Sequence, residues 1–131
     1  MPADYARASD TERANRVIKV SEVPQVHLVP GTSTHIVPGR NMTLSFITLE
    51  ANQLFPVHSH QHEEMIIVLK GALDTILEDK LYRMGEGDVM PVEAGVPHGV
   101  QILDNECVLL EIFAPARKEY EEKLREASGT D

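Results

Sequence analysis

Residues 58–71 read HSHQHEEMIIVLKG, and this stretch decides how the rest of the chain is interpreted. It joins a cluster of histidines and acids to an apolar run and ends in a glycine. Side chains alternate along a strand, so His58, His60 and Glu64 have the same parity and would share one face. Two imidazoles and a carboxylate buried without partners would be costly, whereas together they suit a divalent transition metal. The stretch therefore predicts a metal site built on β-strands.

The residue pattern on either side of this stretch is typical of an antiparallel β-protein. Short apolar runs alternate with turn-forming residues, such as the Pro-Gly pairs at 30–31 and 38–39 and Gly-Glu-Gly at 85–87. Most runs are too short for helices and recur at strand-plus-turn spacing, which predicts a sandwich or a barrel. The candidate strands are residues 42–49, 65–69, 72–77, 89–92, 100–103 and 107–113.

Length and composition restrict the chain to one domain with a real core. It has 131 residues, of which 42% are hydrophobic and 25% charged, as in ordinary globular domains. The formal net charge is −9, and residues 50–111 account for all of it, with 12 acids against three bases. Such an acidic surface predicts no binding of nucleic acid or of anionic membranes. The same charge would repel an anionic substrate at long range.

Few features of the sequence indicate a cellular compartment. Cys107 is the only cysteine, so the chain cannot form an internal disulfide, and nothing indicates an oxidising environment. The amino-terminal 16 residues lack the apolar run of a signal peptide, and no 18-residue apolar stretch is present for a membrane span. We therefore expect a cytoplasmic protein with no membrane partner.

Changes in composition and residue pattern divide the chain into three parts. Residues 1–16 are polar and mixed in charge, and predict a flexible leader. Residues 17–114 hold the short apolar runs and predict the β-barrel. Residues 115–131 change to a charged pattern with acid–base pairs four residues apart, which predicts a C-terminal helix and tail.

Two apolar runs predict a surface that another layer must cover. Residues 65–69 (MIIVL) and 108–110 (VLL) are apolar on both alternating faces, whereas a strand with one side in water should alternate. The covering layer is either a second subunit or the chain's own amino-terminal segment. We expect a homodimer.

The histidine-rich stretch resembles the first motif of the cupin family. The match consists of His58, Ser59 and His60, three residues, Glu64, six residues and Gly71. The resemblance implies an all-β fold, a double-stranded β-helix of the jelly-roll type, closed enough to hide its strand edges.

Residues 87–98 resemble the second cupin motif, which ends at His98. They depart from the usual pattern at Glu93, where the family usually has proline. A further departure is Ile102, where asparagine is common. Neither position is a ligand in the family.

The cupin resemblance implies one divalent transition metal ion. Three nitrogens and one oxygen, with room for two further ligands, suit Mn, Fe, Co or Ni, and Zn also fits. His62 shares the parity of the ligands but lies between two ligand positions, so we place it on the pocket rim. The implied metal ligands are His58, His60, Glu64 and His98.

The carboxyl-terminal residues resemble a narrower group, the pectin-degradation cupins, which convert 4,5-unsaturated uronates to linear keto sugars. The match is Glu111, Phe113 and Arg117. It implies that Glu111 is a general acid/base, that Arg117 holds the carboxylate and that Phe113 packs on the sugar. Two residues depart from that group: Glu111 stands where aspartate is usual, and Glu64 where glutamine is frequent.

Reasoning from the residues alone leaves the role of Glu111 open. Glu111 has the parity of Cys107 and would face the barrel interior, where an unpaired carboxylate is costly. It could serve the metal or the substrate. Alternatively, it forms a structural ion pair with Arg117 that fixes the start of the helix.

Three functions fit these features. The first is an enzyme that acts on a sugar acid, with the metal as a Lewis acid. The second is a metal-dependent oxygenase of a small organic substrate. The third is a cupin that binds a small ligand without catalysis, since a fold does not dictate a reaction.

Overall fold

The chain folds into two antiparallel β-sheets that face each other, which confirms the expected all-β jelly-roll class. The structure is a computed structural model and describes residues 4–129. The ends of the predicted leader and tail, residues 1–3 and 130–131, lie outside the described residues. The larger sheet has six strands and the smaller has four.

Short strands joined by turns make up both sheets. In chain order they are β1 (Gln25–Val26), β2 (Thr32–Pro38), β3 (Thr43–Leu49), β4 (Leu54–His58), β5 (Glu63–Lys70), β6 (Leu73–Leu77), β7 (Lys80–Met84), β8 (Val89–Val92), β9 (His98–Ile102) and β10 (Cys107–Ala114). The strand order is β1-β2-β3-β10-β5-β8 in the larger sheet and β4-β9-β6-β7 in the smaller.

Alternation along the strands places one face of each sheet in the core. On β3, Thr43, Ser45, Ile47 and Leu49 are buried, and the residues between them are partly exposed. The period of two follows from the pleat of a strand. The main core lies between the sheets and includes Ile47, Leu49, Ile66, Val68, Leu73, Met84, Val92, Val100, Ile102, Cys107 and Leu109.

The C-terminal helix α2 (Lys118–Ser128) packs against β1 and β2. The backbone N–H of Arg117 donates to Thr43 Oγ1 at 2.8 Å, and Arg117 keeps an extended backbone as the N-cap. The helix ends at Gly129, whose left-handed backbone (φ 71°) is the usual C-terminal geometry. Its buried Tyr120 joins a second apolar cluster with Phe113.

A short helix, α1 (Asp10–Arg16), lies within the predicted leader. The sequence analysis did not anticipate it, because no apolar stripe marks it. A capping box holds it: the Ser9 hydroxyl accepts from the Glu12 N–H, and the Glu12 carboxylate accepts from the Ser9 N–H. None of its residues is buried. Within residues 4–129, neither helix has the length and hydropathy needed to cross a membrane.

The turn after β5 requires glycine for two separate reasons. Gly71 has a φ of +85°, and a Cβ there would lie 2.8 Å from the carbonyl oxygen of Glu106. Gly87 has a similar φ of +88°, but a Cβ there would meet nothing within 4 Å. A side chain at Gly71 would therefore cause both backbone strain and a steric contact, whereas one at Gly87 would cause backbone strain alone.

We predict that Gly71→Ala lowers the free energy of unfolding more than Gly87→Ala does. In both variants a left-handed alanine lowers the free energy of unfolding by roughly 1–2 kcal/mol. Only Gly71→Ala also brings a Cβ against the Glu106 carbonyl. We expect that variant to lose at least about 1 kcal/mol more. Urea unfolding of both variants beside the wild type measures the difference. Equal losses would show that the contact at Gly71 relaxes freely.

Candidate metal centre

The structure brings together three of the histidines that the sequence singled out. His58 ends β4, His98 begins β9, and the two are direct neighbours across those strands. His60 follows in the turn before β5. One ligand atom from each of the three lies within 4.8 Å of the others. The local sequence achieves this because β4 and β5 are joined by a short turn that carries His60.

Backbone carbonyls fix the orientation of all three imidazoles. Each ring hydrogen-bonds through Nδ1 to a carbonyl two residues away, and a carbonyl can only accept, so Nδ1 carries the proton. The other ring nitrogen, Nε2, is then free to act as a ligand, as in many metal sites. For His58, His60 and His98, the acceptors are the carbonyls of Pro56, His62 and Val96, at 2.9, 3.0 and 2.8 Å.

The Glu64 carboxylate lies between two of these rings. Its Oε1 is 2.9 Å from His60 Nε2 and 3.0 Å from His98 Nε2. Glu64 is 1% exposed. If both rings are neutral with Nδ1 protonated, three lone pairs meet at this point and repel one another unless a proton or a cation lies between them. The donor set of imidazole nitrogens and one carboxylate oxygen therefore fits a divalent transition metal.

The pKa values of the metal-free site follow from burial and from these contacts. Burial raises the pKa of Glu64, but hydrogen bonds to His60 and His98 outweigh it, and the pKa lies well below its usual value. Burial lowers the pKa of His98, but its bond to Glu64 reverses the shift and raises it. Burial lowers the pKa of His58. Without a metal, the proton of the site therefore resides on His98 rather than on Glu64.

Glu111 projects into the barrel beside Glu64. It has the parity of the buried Leu109 and Phe113 on β10, so its side chain lies on the core side, and the residue as a whole is partly buried. Burial raises the pKa of Glu111 well above its usual value, and the charge of Glu64 and a hydrogen bond to it raise the pKa further. Two neighbouring carboxylates cannot both ionise cheaply. Glu111 is therefore protonated when Glu64 is ionised, and can donate its proton.

Arg117 lies at the same end of the barrel and pairs with Glu119. Its guanidinium carbon is 4.8 Å from the ring centroid of Phe113 and 4.1 Å from that of Tyr120. Its Nε donates to Glu119 Oε1 at 2.6 Å. The alternative of an Arg117–Glu111 ion pair is therefore replaced by the pair with Glu119. The Nη1 atom of Arg117 is buried and has no hydrogen-bond partner.

Phe113 lies among the residues of the site and is 1% exposed. Its ring makes edge contacts with His60 and Tyr120, at centroid distances of 5.6 and 5.3 Å. The Arg117 guanidinium lies over the same ring. Phe113 therefore supports His60 and Arg117.

Tyr120 is a residue of the site region that the sequence analysis missed. The charged pattern of residues 115–131 predicted a helix there but gave Tyr120 no role. In the structure it is 5% exposed, and burial and the charge of Glu111 raise its pKa. The sequence does contain one indication that Tyr120 belongs to the site: it follows Arg117 by three residues, which places both on one side of a helical turn.

His62 lies beside the three clustered histidines. Its ring centroid is 5.5 Å from that of His60, and its Nδ1 is buried without a hydrogen-bond partner. Burial lowers the pKa of His62, and the charge of Arg117 lowers it further. Its backbone carbonyl, rather than its ring, holds His60.

The sequence matches the cupin domain family over residues 45–113, and the chain belongs to the cupin family. The matched region holds both motifs and most of the barrel. No curated protein matches the chain by sequence.

Several solved structures have a similar fold. An RmlC-like cupin from Shewanella frigidimarina has a TM-score of 0.75 and 18% identity, covering 80% of this chain and 95% of that one. KdgF from Halomonas sp. has a TM-score of 0.70 and 20% identity, with 73% and 89% covered. The polyketide cyclase RemF from Streptomyces resistomycificus has a TM-score of 0.68 and 22% identity, with 76% and 78% covered. At these identities the likeness establishes the fold.

We predict that a bound divalent metal stabilises the protein more at about pH 8 than at about pH 6. In the metal-free protein, the raised pKa of His98 contributes stability below about pH 6.5, and this stability is lost as the pH rises through the folded pKa. The lowered pKa of Glu64 contributes stability that stays present over the whole range. A metal needs neutral imidazoles, so protons compete with it at low pH. Melting temperatures with Mn²⁺ and with EDTA should therefore differ by a few degrees more at the higher pH.

Two histidine variants provide the control for this prediction. His60→Ala removes a ligand and should lower the metal content measured by mass spectrometry. His62→Ala keeps the carbonyl that anchors His60 and should retain the metal. If both variants lose the metal equally, His62 belongs to the ligand set.

Proposed function

We propose that this cupin is an enzyme of the isomerase type that converts a sugar acid, such as a 4,5-unsaturated uronate, to its linear keto form. The observation that carries the proposal is the Glu111 carboxyl beside Glu64, with its pKa raised well above its usual value by burial and by the charge of Glu64, and the unpaired Nη1 of Arg117 at the same end of the barrel. The carboxyl-terminal resemblance to the pectin-degradation cupins supports this substrate class, and the fold likeness to KdgF agrees with it.

The proposed metal ligands are the three clustered histidines and the carboxylate between two of them, namely His58, His60, His98 and Glu64. Their Nε2 atoms and Oε1 supply the donors described above. A divalent ion bound there would supply Lewis acidity toward a carboxylate or hydroxyl oxygen of the substrate. The protein contributes the rigid orientation of the rings.

The proposed role of Glu111 is to deliver a proton to carbon. In the cyclic uronate, the ring oxygen joins C1 to C5, and C5 is double-bonded to C4. The C1 hydroxyl loses its proton as the bond between C1 and the ring oxygen breaks, which leaves an aldehyde at C1 and an enolate over C4 and C5. Glu111 then protonates C4, which completes the keto group at C5. The hydroxyl proton passes to solvent and Glu111 regains a proton, so atoms balance and the net reaction is an isomerisation.

Arg117 is proposed to bind the substrate carboxylate. Its Nη1 has no partner in the protein, and an arginine fork matches a carboxylate well. The Phe113 and Tyr120 rings hold the guanidinium in place, with centroids 4.8 and 4.1 Å from its central carbon. Such a fixed cation is needed because the net charge of −9 repels an anionic substrate at long range.

We predict that Glu111→Gln abolishes turnover and leaves metal binding intact. The amide cannot protonate C4, and loss of a general acid typically costs 10²–10⁴-fold in rate. Loss of the ultraviolet absorbance of the C4–C5 double bond follows the reaction, and mass spectrometry gives the metal content. Glu63→Gln, an exposed neighbour of Glu64, is the matched control and should remain active. A wild-type, metal-loaded protein that leaves the absorbance decaying at its spontaneous rate would overturn the proposed activity in favour of ligand binding alone.

We predict that Tyr120→Leu weakens substrate binding and that Tyr120→Phe largely retains it. Leucine removes one of the two aromatic faces that hold Arg117, an interaction worth about 0.5–2 kcal/mol, or roughly 2–30-fold. The loss should appear mainly in KM for the uronate, with kcat less affected. Phenylalanine keeps the ring face. If Tyr120→Phe is as impaired as Tyr120→Leu, the hydroxyl rather than the ring face is the important group.

A further inference from the structure

Two nitrogen atoms beside the metal centre are buried and have no hydrogen-bond partner within residues 4–129. They are Nδ1 of His62 and Nη1 of Arg117. A buried polar atom that hydrogen-bonds to nothing is destabilising, and such atoms are rare in native proteins. Two of them at one end of the barrel therefore require an explanation.

The strand register brings the two residues to the same edge of the larger sheet. Strands β5 and β10 are antiparallel, and Glu63 at the start of β5 lies opposite Ala114 at the end of β10. His62 directly precedes β5, and Arg117 follows the end of β10 by three residues. The two segments that carry them therefore meet the sheet side by side.

Side-chain contacts agree with this placement. The ring centroid of His62 is 5.5 Å from that of His60, and the His60 centroid is 5.6 Å from that of Phe113. The central carbon of the Arg117 guanidinium lies 4.8 Å from the same Phe113 centroid. Burial, and next the charge of Arg117, lowers the pKa of His62. The two side chains are therefore close enough for their charges to interact.

The known partner of Arg117 occupies the solvent side of its guanidinium. The Nε atom pairs with Glu119, whose side chain is 57% exposed, whereas the Arg117 side chain is 10% exposed. The buried Nη1 atom therefore lies toward the interior. A neutral imidazole can carry its proton on Nδ1, so His62 can offer a second N–H donor in the same region.

We propose that His62 Nδ1 and Arg117 Nη1 together bind the carboxylate of the ligand, so that His62 makes the site selective for sugar acids over neutral sugars. The two oxygens of a carboxylate can accept one hydrogen bond from each residue. A neutral sugar has a hydroxyl in that place, which is a weaker acceptor and carries no charge to attract the guanidinium. The choice of a sugar acid rests on the proposed function, whereas the pair of donors rests on the structure.

Isothermal titration calorimetry of the metal-loaded full chain tests the proposal with two probes. Galacturonate and galactose differ only in a carboxylate that replaces a hydroxymethyl group. The wild type should bind galacturonate more tightly than galactose. His62→Leu removes the donor and should weaken galacturonate binding roughly 10-fold or more, as expected for a hydrogen bond to a charged group, with galactose binding unchanged. His62→Asn places an amide N–H close to the position of Nδ1 and should retain most of the affinity.

A variant of the neighbouring residue provides the matched control. Gln61 is exposed in the same turn before β5, and Gln61→Leu should bind galacturonate as the wild type does. Mass spectrometry should find the same metal content in all variants. If His62→Leu does not fold, His62→Ala takes its place with the same expected result.

Several outcomes would overturn the proposal. Wild-type protein that fails to bind galacturonate, or binds both sugars equally, has no carboxylate selectivity. Unchanged galacturonate affinity in His62→Leu excludes a role for this residue. An equal loss in His62→Asn shows that the ring rather than its N–H is important, and loss of metal from His62→Leu makes His62 a metal ligand instead.

Turnover of the unsaturated uronate, followed by its ultraviolet absorbance, separates this inference from the proposed activity. Galacturonate binding that depends on His62, in a protein without turnover, supports the donor pair and rejects the activity. Turnover with an equal KM in the wild type and in His62→Leu supports the activity and rejects the donor pair.

Discussion

The site depends on the buried carboxylate of Glu64, which needs hydrogen-bond or ionic partners from the surrounding structure. It comes from the larger sheet, and one of its partners, His98, comes from the smaller sheet, so the contact at 3.0 Å joins the two sheets at one end of the barrel. The rings that face it are held by backbone carbonyls. The site is rigid because its orientation is set by main-chain geometry, which side-chain motion does not change.

The same carboxylate controls the chemistry of its neighbour. Burial, and next the charge of the nearby Glu64, raise the pKa of Glu111 well above its usual value. Arg117 contributes a positive charge in the same region, and its guanidinium lies over two aromatic rings and pairs through Nε with Glu119. A barrel that is acidic as a whole therefore contains a small region with an acid proton and an unpaired cationic donor.

Local periodicity explains what could be predicted from the sequence. His58, His60 and Glu64 do lie close together, but they do not share one face of a strand as their parity predicted: His58 ends β4 in the smaller sheet, His60 lies in the turn, and Glu64 lies on β5 in the larger sheet. His98 was found through the second motif because it lies 34 residues from Glu64. The burial of Phe113 and Tyr120 depends on how the chain turns before α2, which no period encodes. The helix α1 depends on one capping box and has no apolar face, so hydrophobic patterning could not indicate it.

The position of β10 has a consequence for how the protein is made. This strand is the last to be synthesised, yet it lies between β3 and β5 in the larger sheet. Until β10 is in place, the edges of β3 and β5 that pair with it have no partner in the sheet, and Glu111 is absent from the barrel. Unpaired strand edges of this kind are prone to mispairing while a chain folds.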